Sequence, residues 1–382
     1  MPTATAQSTS FKASLRAREL ANAIRRCLSF LPKSPIQSRQ IRVCCSSDYL
    51  ALQSGDAECG LTALVRAGVV DPQEFCVPGD LILRTIEACQ KSVEHVTSHA
   101  IELSLVDGKL RIESEAGMVL EILCSDEDRV PAWPVLKKPW VSGTIPSTIA
   151  FGPLLDEIES HASKDEQRIN LHCLAVEHDG EVCHAIACDG HRMVIARREF
   201  MFPKMELTPL PLQLASILPE GQLDVTIDET YVMFTCPDGS KIWAKKIPVT
   251  YPPWRSVVPK DYFEKGIRLD TARLRTTVEA MAVIMTGSKS AMKMEFGASA
   301  LVCSLDNDGI ERAAARRSVR RFGKLKPPSS KPTAVQPKFV AEALDVIGEC
   351  PQVRVYWESN LDPVVFYNDD NSIVVVTMPM RI

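Results

Sequence analysis

The 382-residue sequence has no run of about 18 consecutive apolar residues, so no segment reads as a membrane-spanning helix. It also lacks the apolar core of a secretory signal at its N-terminus. Thirteen cysteines are present, but none forms a CxxC pair and only Cys44 and Cys45 are adjacent, which argues against a zinc site or a disulfide framework. A reducing, cytoplasmic setting fits that usage. Charge of one sign is missing as well: 44 basic and 48 acidic residues give a formal net charge of −4, which excludes a generally basic nucleic-acid binder. Any contact with DNA requires segregated charge. His95 and His99 have an i, i+4 spacing, but they stand as a lone pair where a strand begins, so no metal is expected.

What is present is enough apolar content, 45%, for two or three domains with real cores. From Leu15 to Leu31 the apolar positions Leu20, Ile24, Cys27, Leu28 and Leu31 recur at helical spacing. This predicts a folded amphipathic helix behind a loose tail over residues 1–10, rather than a targeting peptide. Three β-rich stretches then line up along the chain, beginning at Ile101 (IELSLVDGKLRIESEAGMVLEIL), Leu223 (LDVTIDETYVMFTCPDGSKIWAKKI) and Val353 (VRVYWESNLDPVVFYNDDNSIVVVTM). Each reads as three alternating strands joined by Asp, Asn or Gly turns. The spacing is about a third of the chain, and such self-similarity marks an internal repeat.

The exits repeat too. VPAWP at 130–134 and YPPWR at 251–255 are proline-bearing linkers, and VTMPMRI ends the chain. A strand-turn-strand set precedes each three-strand stretch: LALQSGDAECGLTALV, HAIACDGHRMVIARR and ALVCSLDNDGIERAAA. Helical patterns fall near Leu15–Leu31 and Asp80–Lys91, near Phe151–Ala162 and Leu212–Leu218, and near Thr271–Met285 and Pro337–Ile347. Each third therefore reads as an α+β unit whose helices cover one sheet face and leave the other wet.

Cys188, Asp189 and His191 admit two readings. A thiol beside an acid and an imidazole is a hydrolase constellation, but no matched third member is visible elsewhere in the sequence. Alternatively Asp189 and Gly190 make a turn, and the residues after it project from the next strand.

Taken together, ACDGHRMV, YPPWRSVVP and the terminal VVVTMPMRI, in this order on a threefold repeat, resemble the β subunit of bacterial DNA polymerase III, the sliding-clamp family. The resemblance runs from Phe11 to Ile382. It implies a DNA clamp fold of three similar domains at 11–134, 135–255 and 256–382 in a crescent, with helices inside and antiparallel sheets outside. Two protomers would close head to tail into a ring. A ring that tethers polymerase by topology is a processivity factor in DNA replication, without catalytic activity or a cofactor of its own. Its implied partners are double-stranded DNA, the polymerase III catalytic subunit, the clamp loader and other clamp-binding repair polymerases, with no role for a membrane. A specialised clamp paralogue serving a repair polymerase or mobile element, and a thiol-dependent hydrolase centred on Cys188 and His191, are the alternatives.

The resemblance also implies sites. A partner-peptide cleft would draw Leu171, Cys188, Gly190, His191, Arg192 and Met193 from the second domain, and Pro252 and Val257 from the connector. The third domain would add Gln336, Phe339, Leu361, Val376, Met378, Pro379, Met380, Arg381 and Ile382. Ser256 and Ser290 depart from the usual pattern, which bears on peptide preference. DNA contacts are implied for Arg25, Arg26, Lys33, Arg84, Lys91, Arg273, Arg275 and Lys338, with little from the middle third beyond Lys164 and His161. Ring closure is implied for Ile284 and Met285 against Met118 and Leu120 of a second copy. One segment reverses the family's sign: 312–331, RAAARRSVRRFGKLKPPSSK, carries no acid where clamps are usually acidic. It reads either as a solvated basic loop or as a source of extra phosphate contacts through Arg316, Arg317, Arg320 and Arg321.

Overall fold

The computed structural model describes residues 11–31, 39–91, 100–125, 130, 133–284, 291–306, 314–323 and 327–381. Residues 1–10, Lys33, His95, His99, Met285, Ser290, residues 307–313 and Ile382 lie outside them.

One order of elements occurs three times. The first third runs β1 (Phe11–Arg16), α1 (Ala17–Ser29), β2 (Gln40–Cys45), β3 (Tyr49–Gly55), β4 (Cys59–Arg66), β5 (Gly68–Val70), β6 (Glu74–Pro78), α2 (Gly79–Lys91), β7 (Ala100–Val106), β8 (Lys109–Ser114) and β9 (Val119–Leu123). The second runs β10 (Val141–Ile145), α3 (Phe151–Glu159), β11 (Leu174–His178), β12 (Val182–Cys188), β13 (Arg192–Glu199), β14 (Met205–Leu210), α4 (Gln213–Ile217), β15 (Leu223–Ile227), β16 (Tyr231–Thr235) and β17 (Lys241–Lys245). After a short helix α5 (Tyr262–Lys265), the third runs β18 (Ile267–Asp270), α6 (Thr271–Ile284), β19 (Met292–Phe296), β20 (Ala300–Asp306), β21 (Ala314–Phe322), β22 (Thr333–Val335), α7 (Pro337–Ile347), β23 (Gln352–Tyr356), β24 (Val364–Tyr367) and β25 (Ile373–Thr377). Apart from β5 and α5, each third is strand, helix, four strands, helix, three strands.

Contacts divide the chain into two units, Met1–Gly152 with Gln213–Lys246, and Pro153–Leu212 with Ile247–Ile382. The middle third is thus shared. Unit one holds a five-stranded sheet, β5-β1-β7-β8-β9, and an eight-stranded sheet, β10-β15-β16-β17-β4-β3-β2-β6. Unit two holds one twelve-stranded sheet, β14-β11-β12-β13-β25-β24-β23-β18-β21-β20-β19-β22. Strands from neighbouring thirds join antiparallel at β17·β4 and at β13·β25. At the first junction Trp243 faces Gly60, where a Cβ would lie 2.5 Å from the indole Nε1, so the close approach demands glycine.

Helix α1 shows why the repeat folds locally. Its 13 residues hold no Gly or Pro, and Leu20, Ala21, Ile24 and Cys27 form one buried stripe against α2, β3 and β4. Leu15, expected in this helix, belongs to β1. In unit two the second sheet face is not left wet. Tyr251 and Trp254 of the connector pack with Ile186, Met193, Ile195, Val374 and Val376 into a buried cluster. The basic 312–331 segment is not a loop over Ala314–Phe322, which form strand β21, paired with β20 from Asp306↔Ala314 to Ala300↔Arg320. Only Val319 of its central residues is buried, so the alternation that marks a strand is hidden beneath arginines.

Candidate partner-binding cleft and basic surfaces

The Cys188–His191 stretch is a turn held by Asp189. Its Oδ1 accepts the backbone N–H groups of His191 at 2.8 Å and Arg192 at 3.0 Å. Asp56 does the same for Glu58 and Cys59 at the matching place in the first third. A side chain mimicking a backbone turn is the general use of Asp here. Gly190 has φ +91°, and the Cys188 Sγ accepts its N–H at 3.3 Å. Burial raises the Cys188 pKa, which keeps the sulfur protonated and opposes the nucleophile reading. The His191 ring instead stacks on Phe339 at 6.3 Å.

The hairpin sets three side chains in one row. Cys188 faces Met193 on β13, and Met193 faces Val376 on β25. Tyr251 and Trp254 pack into the same buried cluster as Met193 and Val376, with Val257 against that cluster and Pro252 half-buried in the connector. The chain end extends the row, since the Met378 N–H donates to the His191 carbonyl at 2.8 Å and the Met380 N–H to the Ala334 carbonyl at 2.7 Å. Met378 is 42% exposed, Pro379 and Met380 are half-buried and Arg381 is exposed. Met193 and Val376 themselves are buried, so the exposed apolar face here is that of Met378, flanked by half-buried Cys188, Pro379 and Met380.

Other expected cleft residues take different positions. Arg192 is buried and committed: its guanidinium bonds Asp189 at 3.1 Å, the Ser160 carbonyl at 3.0 Å and Glu342, and lies 5.2 Å over the Phe339 ring. It positions α7 and the turn. Leu171 is buried, and Gln336 forms the N-cap of α7. Leu361 is 66% exposed in the β23–β24 turn and lies outside the buried cluster. The connector's Trp254 belongs to that cluster, yet the sequence reading did not single it out; its place in YPPWR was the available signal.

No family model matches the chain. The curated beta sliding clamp of Pseudomonas aeruginosa is 21% identical over 238 residues, which cover 60% of this chain and 63% of the relative. That of Rickettsia bellii is 19% identical over 251 residues, covering 62% and 66%. The chain thus spans just under two thirds of the curated relatives it matches. Structural likeness extends further. The crystal structure of the DNA polymerase III subunit beta from Pseudomonas aeruginosa superposes with a TM-score of 0.84 at 16% identity, covering 97% of this chain and 100% of that one. The Thermotoga maritima β subunit gives 0.81 at 19% identity with the same coverage. The fold is that of a bacterial β sliding clamp. The resemblance carried by ACDGHRMV, YPPWRSVVP and VVVTMPMRI is borne out at this level.

The basic residues expected at the hole of a clamp lie mostly on helices, and several are already paired. Arg25 on α1 bonds Glu87 at 2.7 Å, and Arg26 bonds Asp238 at 2.9 Å. On α6 and α7, Arg275 pairs with Asp345, and Lys338 lies 3.9 Å from Glu342. Arg84 bonds the Asp80 carbonyl at 3.2 Å, whereas Lys91 and Arg273 are exposed. In the middle third Lys164 is exposed, but His161 is fully buried and its pKa is pushed down to about 4, first by burial and then by Arg192. Such a histidine cannot greet a phosphate. Arg316, Arg317 and Arg320 are exposed on β21, and none forms an ion pair among the described residues. Of the expected closure residues, Leu120 lies on β9, Met118 immediately precedes it and Ile284 ends α6.

Proposed function

We propose that this chain is a DNA sliding clamp: two copies close into a ring around duplex DNA and hold polymerases there by peptides docked beside Met193, Val376 and Met378. The observation that carries the reading is the repeat's own junction rule. The last strand of the second third, β17, pairs with β4 of the first, and the last strand of the third, β25, pairs with β13 of the second. The strands matching β17 and β4 that have no such partner are β9 and β21. Among the described residues β9 pairs only with β8, and β21 pairs with β20 along its length and with β18 only at Arg321 and Phe322. One edge awaits the other in a second copy, and two such contacts close a cycle.

The closing role needs no reaction and no tight DNA site, which agrees with a net charge of −4. Loading onto a primed circular plasmid tests it. The protein is expected to have twice the 42.2 kDa chain mass by light scattering, to stay on the circle, and to leave when the circle is cut. A strict monomer that dissociates equally from circle and line overturns it.

A further inference from the structure

Beyond the cleft, the same sheet face holds a second recess of about 360 Å³. Register places it. The cleft row is Cys188, Met193 and Val376, and the next row on that face is Ile186, Ile195 and Val374. The third row opposes His184 to Arg197. Four residues of strand separate the first row from the third, about 13 Å at the usual rise. Ile195 and Val374 supply an apolar floor, and Trp254, shared with the cleft cluster, forms a wall.

The rim is cationic. Arg255 is spoken for, lying 4.2 Å over the Trp254 ring with Glu177 as its ion-pair partner. Arg197 and Lys260 line the recess too, and neither forms an ion pair among the described residues. The His184 ring lies 5.2 Å from that of Trp254, tilted by 42°, and is held neutral at physiological pH, chiefly by burial and further by the neighbouring arginines. The Tyr262 hydroxyl, bonded to Asn371 at 2.8 Å, closes one side. Two available cations above an apolar floor suit a carboxylate on a carbon stem.

We infer that this recess is an acidic-residue subsite, which takes an Asp or Glu of a partner peptide lying four or five extended residues beyond the apolar anchors in the cleft. The inference rests on the cleft reading for its register, though not for its chemistry. A peptide fits better than a duplex because the cations ring a concave recess in line with the cleft row, whereas a phosphate backbone needs an open track.

The test compares fluorescent peptides that share apolar anchors and carry Glu or Gln residues in extensions at either end, with wild type and an Arg197→Gln, Lys260→Gln double variant. In wild type one acidic extension binds roughly fivefold tighter than its neutral twin, and that preference fades as salt rises. In the double variant the preference disappears while the neutral peptide binds as before. Equal binding of acidic and neutral peptides to wild type, or a preference that survives in the variant, overturns the subsite. An anchor-free acidic peptide at millimolar concentration separates the two readings. If anchored neutral peptides fail to bind wild type, the cleft reading falls, and the subsite stands or falls on whether the anchor-free peptide distinguishes wild type from variant. Displacement of the acidic peptide by duplex DNA at matched charge would reassign the recess to nucleic acid and overturn the proposal.

Discussion

At the scale of single residues, Gly190 and two histidines are the informative positions. Gly190 holds φ +91°, and an added Cβ would lie 2.6 Å from the Arg168 Nη2, the movable end of a long side chain. Backbone strain therefore outweighs the steric clash. Gly190→Ala is expected to lower stability by about 1–2 kcal/mol and to shift the urea midpoint without changing the slope. A change below about 0.3 kcal/mol would show that the turn relaxes freely. His161 and His184 both have pKa values lowered from 6.5 to about 4, mainly by burial. A folded-state value below the unfolded one means the native state resists protonation. Their contribution is thus complete above pH 6.5 and is lost as pH falls toward 4, about 2 kcal/mol for each by pH 5. His161→Leu should flatten the loss of stability between pH 7 and pH 5 in urea titrations; parallel wild-type and variant curves would count against a neutral buried imidazole.

At the scale of elements, legibility followed the strength of local signals. Helix α7 spans Pro337–Ile347 as the sequence predicts, and its ends are legible because Pro337 opens it and Gly348 follows it, the usual asymmetry of helix ends. The paired hairpins were readable because Asp turns interrupt clean alternation, as at Asp56 and Asp189. Strands β10 and β18 give no clear signal in the sequence, being four or five residues long and lying just before helices. Strand β21 looks like a loop in the sequence because its arginines are those of a charged edge, which sequence periodicity reads as solvent. The cleft row was legible only through the family motif, since register across β12, β13 and β25 joins residues nearly 190 positions apart, as Cys188 and Val376 are. Deleting residues 378–382 removes the hydrogen bonds from Met378 to His191 and from Met380 to Ala334 but leaves β25 intact. Loss of anchored-peptide binding with unchanged chain association is expected by fluorescence anisotropy and light scattering. Affinity retained within about threefold would make the chain end purely structural.

At the scale of the whole molecule, the proposed ring makes two claims that can be separated. Closure rests on β9, where Val119 is 40% exposed and Leu123 70% exposed beside a strand edge that has no partner among the described residues. Lysines there would face the arginines of β21, so Val119→Lys with Leu123→Lys should leave a folded species of 42.2 kDa at micromolar concentration. Persistent dimer on dilution would move the interface elsewhere. Phosphate contact within the proposed ring rests on charge instead. With Arg25, Arg26 and Arg275 held by acids and His161 buried, the helices offer fewer available cations than their sequence suggests. Arg316, Arg317 and Arg320 form no ion pair among the described residues, so β21 is where phosphate contacts would be gained most cheaply. Each phosphate neutralised on duplex DNA steepens log K against log salt by about 0.9. Replacing Arg316, Arg317, Arg320 and Arg321 by Gln is therefore expected to weaken duplex binding at low salt and to flatten that slope by about 2 or more, with peptide affinity unchanged. A dimer that keeps its mass but loses the slope would assign β21 to DNA. A monomer would assign its charge to closure, and an unaltered slope with an intact dimer would return these arginines to the solvated edge of a sheet.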